Sequence, residues 1–342
     1  MSKQTCKLML LGLIALAALV IGIGIGSVAV APDQLIAVLC NKLWGTPLPQ
    51  EMPAVLPGLV WNIRLPRVLL AFFVGAALSV SGTVMQSLLQ NPLASSYGLG
   101  VSAGAGLAVA VCMVVGLTES TTSSWFLLPL ICLAAGLGTM VLVLSISQSV
   151  DQGFSNQTIV LIGMVISLFL SALMSTLANA APEYTQRIMS WQLGSFSMKT
   201  WAQLAPVAPI TVACCLVLWR YSHELDLLSF GDQQAAALGL EHRRIKWLSV
   251  VLVAMLTGTA VAFVGIIGFV DLVVPHIVRR LFGPAHRLLI PGCALFGGAF
   301  MVLCDLAART LISPSEIPIG SITALLGAPF FLYIYFASRK KV

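Results

Sequence analysis

Twelve carboxylates, four histidines and eight cysteines are the side chains of this 342-residue chain that could support acid–base, metal or redox chemistry. Each chemistry needs its own spacing: His-Glu-x-x-His for a helix-borne zinc site, Gly-x4-Gly-Lys-[Ser/Thr] for a phosphate cradle, Cys-x-x-Cys for a metal or redox pair. None of these occurs. His223, His242, His276 and His286 are too dispersed for a metal site and read as solvated or interfacial, and no Ser/His/Asp set can be assigned. Cys6, Cys112, Cys132, Cys214, Cys215, Cys293 and Cys304 fall within or beside apolar runs, which leaves Cys40 alone in a connection. They read as buried thiols behaving as small hydrophobes. No metal, no cofactor and no covalent catalysis is expected, so the chain is read as a non-enzyme.

The polar stretch that stands out is LDLLSFGDQQAAALGLEHRRIK, residues 225–246. Ser229-Phe230-Gly231-Asp232 resembles a capping box with Asp in place of Glu or Gln, and Gly239 followed by apolar Leu240 reads as a C′ glycine. These signals predict a short helix from about 230 to 238. Such a helix does not persist alone in water, so Phe230, Ala235 and Leu238 are expected to dock against something. Two readings stand side by side: an amphipathic helix on the lipid surface with topogenic charges, and a docking element for a soluble partner.

The elements that must position this stretch are apolar. The chain is 58% hydrophobic and 9% charged, against roughly 25% charged in a soluble domain. Ten apolar segments can be marked: about 8–30, 68–88, 95–117, 126–148, 158–180, 201–219, 247–266, 269–278, 288–308 and 318–337. Most match the roughly 20 residues of a spanning helix, and the eighth is too short unless its neighbours partly bury it. The expected fold is an all-α integral membrane protein of about ten transmembrane helices in one domain, 1–342, with a cytoplasmic element at 225–242 and an outer Pro-rich loop at 31–66 holding at most short helices. Pro66 fits the first turn of the second span. The run Leu8 to Ala31 is too long for a signal-peptide core, despite the small residues from Ser27 to Ala31, and reads as an uncleaved first span.

The net charge of +6 follows topology rather than nucleic acid. With a cytoplasmic N-terminus, twelve Lys and Arg fall inside (Lys3, Lys7, Arg220, Arg243 and eight later ones) and six outside (Lys42, Arg64, Arg67, Arg187, Lys199, Arg309). That satisfies the positive-inside rule, with both termini cytoplasmic. Membrane lipid is the expected surroundings.

Residues 74–100 and 257–283 align at a constant offset of 183: Gly75 with Gly258, Gly82 with Gly265, Pro92 with Pro275, Gly100 with Gly283. The offset spans five segments, an odd number, and predicts an inverted-topology repeat, with chance likeness of Gly-rich helices as the competing reading. Gly100, Gly104 and Gly106 leave the third span's start nearly bare, suited to close helix contact. Ionisable groups at membrane depth are scarce, with Asp271 and Asp305 near span ends, so energy for any transport is expected from outside the chain. A secondary carrier is the rival reading. The connection from Asp151 to Thr158, with Ser155, Asn156 and Thr158, is assigned to a cytoplasmic gate on topology alone.

Four long motifs then occur in order: RLPRVLLAFFVGAALSVSGTVMQSLLQNPLASSYGLGVSAGA, LSFGDQQAAALGL, IIGFVDLVVPHIVRRLFGP and DLAARTLISPSEIPIGSITALLGAPFF. From about 60 to 336 the chain resembles the FecCD-type permeases of ATP-binding cassette importers, which take up iron chelates, haem and cobalamin. The resemblance implies a type II importer fold of ten helices per subunit and a homodimer in the cell inner membrane. It also implies two cytoplasmic ATPase subunits, and a periplasmic or lipid-anchored substrate-binding protein outside. It assigns Ser229, Asp232, Gln233, Ala236, Leu238 and Gly239 to coupling with the ATPase. Arg64, Arg67 and Arg309 match arginines that meet glutamates of the binding protein, against the plain reading of interfacial arginines that snorkel. A ferric siderophore is the favoured cargo, with haem and cobalamin as alternatives. The chain departs from the family at Asp271, where Gly is usual; that carboxylate either alters local packing or meets Arg279 or Arg280.

Overall fold

Every one of the ten apolar segments becomes helix in the computed structural model, which describes residues 3–26, 28–117, 124–151 and 155–339. Ser27, Lys340, Lys341 and the middle of the 151–158 connection lie outside the described residues. In chain order the helices are α1 (Lys3–Gly24), α2 (Pro32–Trp44), α3 (Leu56–Gly58), α4 (Leu65–Leu88), α5 (Val101–Val114), α6 (Ser124–Val150), α7 (Asn156–Ala180), α8 (Pro182–Gln192), α9 (Trp201–Arg220), α10 (Ser222–Leu228), α11 (Asp232–Ala237), α12 (His242–Val264), α13 (Val270–Phe282), α14 (His286–Thr310) and α15 (Ile319–Arg339). No strand occurs among the described residues. Among the described residues, seven helical stretches are long and apolar enough to cross a membrane, and α5 and the first part of α15 are shorter apolar helices. The short eighth segment is α13, whose Val270, Val273, Val274 and Val278 are buried, as a helix too short to span by itself requires.

The 31–66 segment is more ordered than expected. Pro32 starts α2, Asp33 lies in its first turn and Lys42 in its last, complementing the helix dipole, and Gly45 (φ 71°) ends it. Thirteen residues make α2 a proper helix rather than a short turn. Pro66 sits in the first turn of α4, as expected, but that turn does not begin the helical path. Residues 56–64 are already helical, with a π-helical turn at Leu59–Arg64 running directly into α4. Pro66 therefore stands inside one continuous apolar path, Leu56–Leu88, where the wider π turn accommodates a residue without an N–H.

Helix α4 is the buried centre of the molecule and packs on α14, α13, α12, α9 and α1. Its contacts explain two glycines. A Cβ on Gly75 would stand 2.2 Å from the Gly297 carbonyl oxygen of α14, and one on Gly82 would stand 1.9 Å from the Asp271 carbonyl oxygen of α13. At the periphery, α7 turns Leu161, Met164, Leu168 and Phe169 outward, an apolar face suited to lipid or another subunit.

The offset of 183 does not survive as a residue register. Gly82 lies in mid-helix, whereas its counterpart Gly265 (φ 84°) ends α12. The repeat is instead visible in packing: α4 with α14 and α13 is matched by α12 with α6 and α5, and α13 with α14 by α5 with α6. Exchanging α4–α7 with α12–α15 maps these contacts onto one another. Which helices touch is preserved; where each helix stops is not.

Candidate functional site

Contacts divide the bundle into two ends. At the first end, the Lys7 ammonium donates to the Leu281 carbonyl (3.0 Å) and the Trp219 indole N–H to the Arg287 carbonyl (2.9 Å). At the second, the Trp201 indole N–H donates to the Trp61 carbonyl (2.8 Å), and Arg64 reaches residues 23–28. Helices α1 and α9 have one terminus in each group, so the two ends face opposite ways.

The first end carries the 225–242 stretch. The expected capping box does not form: Gly231 (φ 113°) is the N-cap of α11 with no side-chain cap. The Ser229 hydroxyl donates to the Asp226 carbonyl (2.6 Å), and Asp232 instead accepts from the Lys246 ammonium at 2.8 Å. Helix α11 is accordingly six residues, shorter than the expected nine. Its C-terminus matches the sequence reading. Gly239 (φ 81°) donates to the Ala236 carbonyl and Leu240 to the Ala235 carbonyl, the paired bonds of a Schellman motif. Ala235 is buried as expected, but Phe230 and Leu238 are 65% and 67% exposed. Ser229, Gln233, Ala236 and Gly239 are exposed beside them, and Asp232 is half-buried.

A polar network that sequence reading did not assemble holds this element. Asp226 Oδ1 on α10 accepts the His286 backbone N–H (2.9 Å) and lies 2.6 Å from its Nδ1; His286 Nε2 lies 2.8 Å from the Ser87 hydroxyl at the end of α4. His286 is 1% exposed, which corrects its assignment as solvated or interfacial. Burial alone would raise the Asp226 carboxyl, but its hydrogen bonds from His286 outweigh that and hold it below its ordinary value. The Gln90 amide donates to the Leu228 carbonyl at 3.4 Å. A cavity of about 240 Å³ beside the network is lined by Gln86, Ser87, Gln90, Ser229, Arg279 and His286, among others.

The second end holds Arg64, Arg67 and Arg309. Arg64 donates to the carbonyls of Ile23 (2.9 Å), Gly24 (3.2 Å) and Val28. Arg67 forms a fork with Asp305 (Nη2–Oδ1 2.9 Å) and Glu316 (Nη1–Oε1 2.7 Å). Arg309 donates to the Gly22 carbonyl and places Nε 3.8 Å from Asp305 Oδ2. All three therefore have partners within the chain, and they line a second cavity of about 240 Å³ with Glu316. Three arginines against Asp305 and Glu316 leave one net positive charge there (3 − 2 = 1). The Arg67 guanidinium holds Glu316 below its ordinary value, outweighing its partial burial.

Asp271 meets neither Arg279 nor Arg280. Its Oδ2 accepts from the Ser95 hydroxyl and from the Ser96 N–H (3.1 Å) and hydroxyl (3.2 Å), which fastens the 3-10 turn Ser96–Leu99 to α13. Arg279 donates to the Gln86 side chain (3.2 Å). Around the expected gate, Ser155 caps α7 by accepting from the Thr158 N–H (3.4 Å), and both residues donate to Asp151 Oδ2. Asn156 Oδ1 is buried without a hydrogen bond. Among the described residues no three His, Cys, Asp or Glu side chains gather as metal ligands.

Comparison with known proteins places this arrangement. The FecCD transport family model matches residues 13–337. An uncharacterized ABC transporter permease protein, YvrB of Bacillus subtilis, is 39% identical over 94% of this chain and 91% of its own. The hemin transport system permease protein HmuU of Yersinia pestis is 36% identical over 80% of this chain and 82% of its own. A solved transporter, described as inward-facing and of metal-chelate ABC type, superposes with a TM-score of 0.84 at 32% identity, covering 97% of this chain and 99% of that one. With the match running from α1 into α15, this chain belongs to the FecCD transport family and is an ABC transporter permease.

Proposed function

We propose that this permease imports a metal chelate, with a ferric siderophore as cargo, by alternating access driven by two ATPase subunits bound at the first end. The observation that carries this reading is α11. It is a short helix that exposes Gln233 and Ala236 and is flanked by exposed Phe230 and Leu238, while its inner side is held by Ala235 and by the Lys246–Asp232 ion pair. A rigid, partly apolar knob on a chain without a phosphate-binding loop suits a cleft on an ATPase. The test is substitution of Gly239, whose φ of 81° disfavours any side chain. Gly239→Leu should prevent ATPase binding or separate ATP hydrolysis from uptake. Wild-type coupling in that variant would reject the assignment.

Ten spans, from α1, α4–α7, α9 and α12–α15, set both termini on the cytoplasmic side and make the α4–α7 and α12–α15 units antiparallel. The permease acts as a homodimer in the cell inner membrane, with a substrate-binding protein at the second end. There the cavity edged by Arg64, Arg67 and Arg309 receives a carboxylate of that protein, which competes with Glu316 for Arg67. The Asp151–Ser155–Thr158 capping network holds the start of α7 and forms the cytoplasmic gate. Among cargoes, the relative named for hemin keeps haem as an alternative, and cobalamin shares the architecture. Siderophore is favoured because all four histidines lie on the side assigned to the cytoplasm, leaving none outside to accept haem iron.

A further inference from the structure

The only described side-chain bridge from α10 to both α4 and α14 runs through one imidazole. Asp226 on α10 accepts two donors of His286, the backbone N–H at 2.9 Å and Nδ1 at 2.6 Å, and Nε2 faces the Ser87 hydroxyl at 2.8 Å. His286 is the first residue of α14, so Asp226 also satisfies an N–H that α14 itself cannot. Both ring nitrogens are engaged, and this fixes the ring's orientation between three helices. Ser87 lies in the last turn of α4 and its hydroxyl is also 3.2 Å from the Thr83 carbonyl. The connectivity is that of an acid, a base and a hydroxyl nucleophile. However, Ser87 lies inside a helix, so its own N–H is used within α4 and cannot stabilise an oxyanion. The set is suited to carrying force instead.

The geometry points to Asp226, His286 and Ser87 as positioning residues for coupling: we propose that they form a strut transmitting displacement of the α10–α11 element to α4 and α14. The proposal rests on the reading of α11 as the ATPase contact. Helices α4 and α14 pack tightly through Gly75 and Gly297, so a pull on the start of α14 moves them together and reaches their far ends beside Arg67 and Arg309. Without the strut, α11 could tilt against Lys246 while the bundle stayed still.

The test uses the full permease with its ATPase subunits in nanodiscs and reads α14 at its far end. A cysteine is introduced at Leu311, 66% exposed just past that helix, in a background with the exposed Cys6 and half-buried Cys40 changed to serine, and its maleimide labelling rate is compared with and without ATP plus vanadate. The parent should show a nucleotide-dependent change in rate. Ser87→Ala and His286→Phe should reduce that change at least five-fold while the partner subunits still hydrolyse ATP, and Ser87→Thr, which keeps the hydroxyl, should restore it. An unchanged response in Ser87→Ala and His286→Phe, or no response in the parent, overturns the proposal. Loss of ATPase assembly in Ser87→Ala overturns it too, since Ser87 would then serve only folding. Unaltered ATPase binding together with wild-type coupling after substitution of Gln233 and Gly239 would count instead against the docking reading alone.

Discussion

Replacing Arg67 with Met would strip the second end of its fork while keeping the side chain's approximate length. Asp305 is only 2% exposed and receives hydrogen bonds from Arg67 Nε and Nη2 between 2.9 and 3.1 Å. Without Arg67 it would be a buried carboxylate facing Arg309 at 3.8 Å, too far for a hydrogen bond. Breaking a buried pair from one side costs about 3–5 kcal/mol, and the remaining Arg309 charge places the expectation near the low end, about 3 kcal/mol. Glu316 offers an internal control. Its side chain is 36% exposed, so Glu316→Gln removes one charge of a partly solvated pair, worth about 0–1 kcal/mol. Denaturant unfolding of the purified permease in one detergent should rank Arg67→Met well below Glu316→Gln. Adding Asp305→Asn to Arg67→Met should recover part of the loss, because the orphaned charge disappears. Equal stabilities for Arg67→Met and Glu316→Gln, or a double variant no better than Arg67→Met, would refute the premise that the cluster is a desolvated network.

Acid should weaken the same cluster with a defined sign. Glu316 sits below its ordinary value because of Arg67, so its contribution is present above the unfolded carboxyl's pKa, about 4.3, and is lost as pH falls through the lower folded value. The stability gap between wild type and Glu316→Gln should close between about pH 5 and 3, and should be small and salt-sensitive throughout. Gly82→Ala tests the α4–α13 approach, since a Cβ 1.9 Å from a backbone oxygen cannot be relieved by a side-chain rotation. Folded yield by size-exclusion chromatography should fall sharply, and wild-type yield would show that the helices separate easily.

Much of this fold could be read along the chain. Each apolar segment of roughly spanning length became a helix because a backbone in a nonpolar medium must satisfy its own hydrogen bonds, and helices do so within one segment. The end of α11 was equally local. Gly239 marks a left-handed position four residues past Ala235, and the bonds that confirm it lie inside one turn. Its beginning was misread because Asp232 had a stronger option than capping, a lysine fourteen positions on that the fold brings within 2.8 Å. Likewise, α2 was overlooked because six prolines between 31 and 66 obscured that the first stands where a helix tolerates it.

What the sequence alone determined was the class of the protein: an apolar bundle without nucleotide or metal motifs, one polar knob, and ordered family motifs. Tertiary structure decided which charged groups are free. Arg67 finds Asp305 across 238 positions, and His286 finds Ser87 across 199 and Asp226 across 60. Nothing in the spacing of these residues announces such pairs, because pairing depends on which helices the packing of Gly75 on Gly297 and Gly82 on Asp271 brings side by side. Local rules set where helices begin and end; burial beside a particular neighbour sets whether an arginine, histidine or aspartate faces solvent or is committed within the chain.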